Sequence, residues 1–159
     1  MDHLAYLRHA VNAGKGKAAR SKAEMDRADW HHPYDSFTGL YYDLAKMELA
    51  KRGEPLEPVR EFAVEKALER IDQRLDCADF AIPALIRMLK EHRGTPRLSD
   101  DLAAKIDHSL IHFKYWLDEP GEVNACYFTE NHQILYHSAE YLAGQLYPDA
   151  VFPSNGMST

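Results

Sequence analysis

Apolar residues recur along most of this chain with the period of an amphipathic α-helix. In the clearest case Leu135, Ala139, Leu142 and Leu146 are spaced at i, i+4, i+7 and i+11, which places them on one helical face. Similar stripes, interrupted by Gly, Pro and Asp, predict further helices over residues 2–13, 35–52, 59–75, 80–92 and 99–117. No alternation of strands and helices is visible. The pattern therefore predicts an all-α chain built from antiparallel helix pairs.

Polar residues at the expected helix starts support this division of the chain. Asp79 is predicted to cap the helix over 80–92, Ser99 the helix over 99–117, and Thr129 the last helix, which runs to Leu146. Asp76 lies three residues before Asp79, and capping explains both carboxylates without any further role. Residues 15–34 have weak periodicity and are predicted to form a flexible connector, with a solvated helix over residues 15–29 as the alternative.

Composition and charge narrow the class of protein. The chain has 159 residues, 45% of them hydrophobic and 28% charged, which is ordinary for one globular domain. The net charge of -6 argues against general binding to nucleic acid or to anionic lipid. No apolar run is long enough to span a membrane, and the first residues do not resemble a signal peptide. A cytoplasmic location is therefore expected by default, and no oligomeric state is predicted.

Two features with metal-ligating side chains are present but incomplete. Cys77 and Cys126 are too few for a disulfide framework or a four-ligand zinc site. They are expected to be buried free thiols, and their pairing stays open. His108 and His112 have the i, i+4 spacing of a metal-binding helix, but no third ligand is nominated. We therefore predict no metal site and no cofactor.

Several segments carry a resemblance to a known family. They are Phe113–Gly121, Phe128–His137 and Glu140–Asp149, together with Asp79-Phe80 and Leu85-Ile86-Arg87. In these segments the chain resembles a family of large bacterial proteins with a Glu-Asn-His segment. That family is similar to the (α/α) toroids of the six-hairpin glycosidase kind. The resemblance implies a partial (α/α) toroid, with this chain as the front part of a longer one, and it implies no particular reaction.

The candidate site residues surround the start of the last helix. In a toroid, Glu130 and His132 would be catalytic, with Glu130 as acid or base, and Asn131 would bind the substrate. Tyr136 and His137 continue along the same helix as candidate substrate-binding residues, and Trp30 is a candidate for stacking on a sugar ring. An ordinary structural explanation competes with each of these roles, because Glu130 stabilises the helix dipole and Asn and His often anchor a loop.

Two functions therefore stay open from the sequence. The first is a carbohydrate-active protein of the lyase or hydrolase kind, with a polysaccharide or oligosaccharide as its partner. The second is a helical scaffold or interaction domain without catalysis, in which Glu130, Asn131 and His132 cap a helix and hold a loop. A cleft that gathers Glu130, His132 and aromatic side chains would favour the first function.

Overall fold

The structure is a computed structural model that describes residues 2–18, 34–55, 59–122, 125–153 and 157–158. These ranges contain six α-helices, one turn of 3-10 helix and two very short strands. The helices are α1 (His3–Ala18), α2 (Tyr34–Lys51), α3 (Glu61–Asp72), α4 (Ile82–His92), α5 (Asp100–His112) and α6 (Glu130–Leu146). The 3-10 helix is Ala78–Phe80. The strands β1 (Val151–Phe152) and β2 (Met157–Ser158) pair antiparallel.

This architecture confirms the all-α class, while the toroidal arrangement stays a prediction. The predicted connector is divided by the structure, because residues 15–18 belong to α1 and residues 19–33 lie outside the described residues. Trp30 therefore also lies outside them. In the described ranges, no helix combines the length and the apolar character needed to cross a membrane.

Helix α4 is the centre of the packing. It contacts α2, α5, α6 and the 3-10 helix, and its side chains Leu85 and Met88 are fully buried. Ile106 and Leu110 of α5 reach the same core, as does Tyr136 of α6. Burying one such side chain stabilises the fold by about 1.5–3 kcal/mol, so α4 holds the neighbouring helices in place.

Helix α1 is attached through a separate, smaller apolar cluster. Leu7 and Val11 of α1 pack on Ala45 and Leu49 of α2. This cluster lies apart from the main core. Helix α1 therefore packs mainly on α2. Changes in α1 are therefore expected to leave the main core intact.

Several predicted helix ends are wrong, each for a physical reason. Helix α1 continues past Gly14 and Gly16 to Ala18, since a glycine inside a helix costs only about 1 kcal/mol. Helix α4 begins at Ile82 with Ala81 as its N-cap residue, because the 3-10 turn occupies the place where Asp79 was expected to cap.

Helix α5 and helix α3 are also shorter than predicted. Helix α5 ends at His112 rather than at residue 117, since Phe113 adopts an extended backbone with φ -70° and ψ 144°. Its ring packs into the core against Tyr115 and Tyr136. Helix α3 spans Glu61–Asp72, because the chain turns at Gln73 and Arg74, where Arg74 has φ 53°.

Other predicted boundaries agree with the structure. Ser99 is the N-cap residue of α5, and its side-chain oxygen accepts a hydrogen bond from the Leu102 backbone N–H at 3.3 Å. Helix α6 runs from Glu130 to Leu146 as predicted, although Thr129 makes no side-chain cap bond. Helix α2 spans Tyr34–Lys51, within one residue of the predicted 35–52 at each end.

A buried polar cluster joins α2 to the end of α4. His92 is fully buried, and its Nε2 lies 3.2 Å from Glu48 Oε1. Arg97 donates from Nε to His92 Nδ1 at 3.1 Å, so the imidazole accepts on one side and donates to Glu48 on the other. Burial lowers the pKa of His92, and the nearby Glu48 opposes this shift. The fold therefore holds His92 as a neutral imidazole.

Candidate metal centre

The first turn of α6 places His132 against the 3-10 helix. His132 Nδ1 lies 2.8 Å from Asp79 Oδ2, across 53 residues of sequence. Asp79 is fully buried, and His132 is only 7% exposed. The ring of Phe80 meets the imidazole edge to face, with centroids 5.3 Å apart, and Tyr41 of α2 donates its hydroxyl to the Phe80 carbonyl at 2.9 Å. Three elements thus fix the orientation of the imidazole.

The carboxyl group of Asp79 has an unusual environment. Burial raises its pKa, while the hydrogen bond from His132 opposes the shift. Its second oxygen, Oδ1, has no hydrogen-bond partner among the described residues. A buried polar atom without a partner costs free energy, about 1–3 kcal/mol, and such atoms are uncommon away from functional sites, ions and bound water.

The turn that leads into the 3-10 helix brings two more polar side chains to the same place. Cys77 has φ 62° and ψ 17°, a left-handed conformation that costs a non-glycine residue about 1–2 kcal/mol. The turn is held from both sides. Arg70 donates from Nε to the Asp76 carbonyl at 2.8 Å, and the Cys126 backbone N–H donates to Asp76 Oδ1 at 2.9 Å.

Asp76, Cys77 and His132 lie close enough together to hold a metal ion. A carboxylate oxygen, the Cys77 sulfur and a ring nitrogen all lie within 4.8 Å of one another. The Cys77 Sγ to Asp76 Oδ2 distance is 3.7 Å. Tetrahedral zinc with Zn–S of about 2.3 Å and Zn–O of about 2.0 Å separates these two atoms by about 3.5 Å. The observed spacing is therefore close to what the metal requires.

His132 and Asp76 each have one polar atom bonded to a neighbour. A metal bound while His132 Nδ1 keeps its bond to Asp79 would use Nε2. Asp76 Oδ1 is bonded to the Cys126 amide, which leaves Oδ2. A histidine that binds metal usually donates its second ring N–H to a carboxylate or carbonyl, and Asp79 supplies this partner.

The same atoms also resemble a Cys–His–Asp nucleophilic arrangement, but the thiol is unsuited to that role. Burial, with Asp76 and Asp79 adding to it, raises the pKa of Cys77 to about 11. Nucleophilic cysteines need a lowered pKa so that the thiolate is present at neutral pH. A bound metal ion removes the thiol proton itself, so the metal-ligand role fits this environment better.

The residues predicted from sequence lie in different environments. Glu130 and Asn131 are exposed, and no hydrogen bond joins either side chain to His132. His137 is also exposed, with its ring 4.1 Å from that of Trp116 and its Nδ1 3.4 Å from Glu140 Oε2. Of the predicted site residues that the structure describes, His132 is the one that belongs to the centre.

Tyr136 lies in the core rather than at a surface. It is fully buried and stacks on Tyr127 with centroids 4.3 Å apart. Burial raises the pKa of both phenols. The two phenols are close enough to perturb each other, yet neither hydroxyl has a well-aligned partner among the described residues. A ligand at the surface would not reach Tyr136, so the predicted binding role has no contact to support it.

Sequence reasoning missed Asp76, Cys77 and Asp79 as site residues. The sequence does contain one signal for them. In the run Asp76-Cys77-Ala78-Asp79, three of the four side chains can bind a metal ion. Cys77 and Cys126 are free cysteines, but both are half-buried rather than buried as expected. The rings of His108 and His112 lie 4.2 Å apart between centroids, and His112 Nδ1 lies 2.7 Å from the His108 carbonyl oxygen.

Two large surface cavities lie away from this centre. One, of about 590 Å³, runs between α3 and α5 and is lined by carboxylates and Lys105. The other, of about 630 Å³, borders the loop before α5. Neither is lined by Glu130 or His132, so neither is the cleft expected around those residues.

Comparison with other proteins does not add to this picture. No protein-family model matches the chain, and no match was found among curated proteins or among solved structures. The inference about function therefore depends on the geometry of the Asp76–Cys77–His132 centre.

Proposed function

We propose that this chain is a metal-binding protein, and that Asp76, Cys77 and His132 bind one zinc ion. The observation that carries the proposal is the convergence of three ligand atoms within 4.8 Å, with His132 held by the buried Asp79. Sulfur, imidazole nitrogen and carboxylate oxygen are the three donor types that zinc takes in proteins.

The choice of zinc follows from the donors. Thiolate and imidazole ligands favour zinc and other late transition metals over Mg²⁺ and Ca²⁺, which prefer oxygen. One thiolate and one carboxylate also balance the two positive charges of the ion, so binding leaves no net charge on the three ligands and the metal. This matters because His132 is largely withdrawn from water, where an uncompensated charge is costly.

The test is a zinc titration of the metal-free chain in competition with a chromophoric chelator. We expect one zinc per chain, and a loss of affinity of more than about 100-fold in Cys77→Ser and in His132→Ala, since each removes a direct ligand. His137→Ala is the matched histidine control, because His137 is exposed on the same helix. Wild-type affinity in both ligand variants would refute the proposal.

The carbohydrate-active function stays a separate prediction. Its support is two exposed aromatic side chains, Phe128 just before α6 and Tyr141 in the second half of α6, which are 84% and 66% exposed. Exposed aromatic rings can stack on sugar rings. Binding and cleavage on a panel of polysaccharides, compared with Tyr141→Ala and Glu130→Ala, test it, and equal results in all three proteins would contradict it.

The scaffold alternative is compatible with a bound metal. A zinc ion at this position would link α6 to the turn before α4. In a closed site, where the protein supplies all four ligands, the ion would only stabilise the fold. Whether the site is closed or open to another ligand therefore separates the two kinds of function.

A further inference from the structure

We infer that Arg70 is a positioning residue of the metal centre, which holds the turn with Asp76 and Cys77 in the shape that metal binding requires. This inference rests on the proposed zinc site and extends it to a residue that does not itself bind the metal. The guanidinium acts on the backbone of the turn, and through the backbone on the position of the Cys77 sulfur.

The turn between α3 and the 3-10 helix has a strained backbone. Arg74 has φ 53° and Cys77 has φ 62°, and neither is a glycine. Residues with a Cβ seldom adopt positive φ, because the Cβ comes too close to a backbone carbonyl oxygen. Such conformations persist where the surrounding structure imposes them, and they cluster at functional sites. Two of them within one short turn indicate that tertiary contacts hold this segment in place.

Arg70 supplies contacts of this kind from the end of α3. It is buried, with only 5% of its surface exposed. Its Nε donates a hydrogen bond to the Asp76 carbonyl at 2.8 Å, and its Nη2 donates to the same oxygen. The backbone carbonyl of Arg70 accepts a hydrogen bond from the Leu75 N–H at 3.1 Å. Arg70 therefore holds two successive residues of the turn, one through its backbone and one through its side chain.

The bond to the Asp76 carbonyl matters for the next residue along the chain. This carbonyl belongs to the planar peptide group that precedes Cys77, so its direction helps to set the φ angle of Cys77. In the observed conformation the Cys77 sulfur lies 3.7 Å from Asp76 Oδ2 and within 4.8 Å of a His132 ring nitrogen. Rotation of this peptide group would relieve the left-handed conformation and would move the sulfur relative to His132.

With Arg70, each of the three candidate ligands has its own anchor. His132 is bonded to Asp79, and Asp76 Oδ1 accepts from the backbone N–H of Cys126 at 2.9 Å. Cys77 is fixed through the peptide group that Arg70 holds. Loss of a contact that orients a metal ligand commonly lowers metal affinity by about 10–100-fold.

The experiment measures the zinc affinity of the full chain by chelator competition in Arg70→Met and Arg70→Lys. Methionine fills space but donates no hydrogen bond, whereas lysine can still donate one from a charged group. We expect a loss of about 10–100-fold in Arg70→Met and a smaller loss in Arg70→Lys. With Co²⁺ as the probe, the cobalt–thiolate charge-transfer band per bound metal should weaken in Arg70→Met, because Cys77 is the ligand that loses its position.

The matched control is Arg60→Met. Arg60 is also partly buried and donates to a backbone carbonyl, that of Gly39, at 2.9 Å, but this contact reaches α2 rather than the turn. The control should leave zinc affinity and the cobalt band unchanged. Urea unfolding of the metal-free chains measures how much stability each variant loses, so that a loss of affinity can be compared with a loss of stability.

Three results would overturn the role of Arg70. They are wild-type zinc affinity in Arg70→Met, an equal loss of affinity in Arg60→Met, and no recovery of affinity in Arg70→Lys. If Arg70→Met does not fold, Arg70→Lys decides, and wild-type affinity with an unchanged cobalt band in that variant would overturn the inference. A wild-type chain that binds neither Zn²⁺ nor Co²⁺ would refute the proposed function itself, which is a different outcome.

Discussion

Asp79→Asn separates the role of Asp79 in metal binding from its role in the fold. The substitution keeps the shape of the side chain, and its amide oxygen can still accept the hydrogen bond from the His132 Nδ1–H. It removes the negative charge of Asp79. That charge strengthens this hydrogen bond and raises the basicity of the imidazole. Such a change behind a metal-binding histidine lowers affinity by about 10–100-fold, which is about 1.4–2.7 kcal/mol.

The effect on folding should be smaller, for a reason visible in the structure. A hydrogen bond to a charged group contributes about 1.5–3 kcal/mol, and an unpartnered buried atom costs about 1–3 kcal/mol. Among the described residues, Asp79 has the bond at Oδ2 and the unpartnered atom at Oδ1. The asparagine would keep one hydrogen bond and one unpartnered polar group, so the substitution weakens the bond but also relieves the burial of a charge. We expect metal-free Asp79→Asn to lose at most about 1 kcal/mol of unfolding free energy.

The assay pairs chelator competition for the metal with urea unfolding of the metal-free chain. Asp107→Asn is the matched control, because Asp107 accepts a hydrogen bond from Tyr147 at 2.6 Å on another part of the surface. It should leave zinc affinity unchanged. If Asp79→Asn binds zinc as tightly as the wild type, the carboxylate does not orient His132, and the proposed arrangement of the centre is refuted.

Three further predictions concern the fold. Because burial lowers the pKa of His92 in the folded chain, the unfolded chain takes up the proton first, and stability should fall as pH drops below the usual histidine value of about 6.5. Urea unfolding should show a weaker loss of stability between neutral and acidic pH in His92→Gln. Ser99→Ala removes the cap bond of α5 and should cost about 1 kcal/mol in thermal or urea unfolding. Tyr136→Phe removes a buried hydroxyl that has no well-aligned partner among the described residues and should leave the unfolding free energy unchanged or raise it slightly.

Each of these predictions has a control or a contradicting result. An equal pH dependence in His92→Gln and wild type would show that His92 is not the titrating group. Ser138→Ala, on the exposed face of α6, should change stability by less than about 0.5 kcal/mol, so a similar loss in both serine variants would argue against capping. A loss of more than about 1 kcal/mol in Tyr136→Phe would mean that its hydroxyl has a partner.

The sequence predicted α6 best among the helices. Its apolar period, the polar residue Thr129 before it and Pro148 after it all agree on one segment, and the structure has the helix at Glu130–Leu146. The end of α5 was predicted wrongly because Phe113 continues the apolar stripe. Periodicity indicates that such a side chain is buried, but not whether a helix or an extended segment buries it.

Within the candidate site, the position of Asp79 before a helix predicted the wrong role for its carboxylate. Asp76 and Asp79 were interpreted as capping residues, since capping is the usual role of Asp near a helix start. The structure instead directs Asp79 to a histidine 53 residues away. Metal sites assemble from contacts of this kind, and the local run Asp76-Cys77-Ala78-Asp79 does not indicate which distant residue it meets.

By itself, the sequence determined the helical class, most helix positions and the segment at which α6 begins, because all of these depend on neighbouring residues and their spacing. The tertiary structure decided which faces meet. It placed His132 against Asp79 and beside Cys77 because α4 packs against both α6 and the 3-10 helix, and it left Glu130 in solvent. The chemistry of Thr129 to His132 therefore depends on long-range packing, which sequence periodicity does not encode.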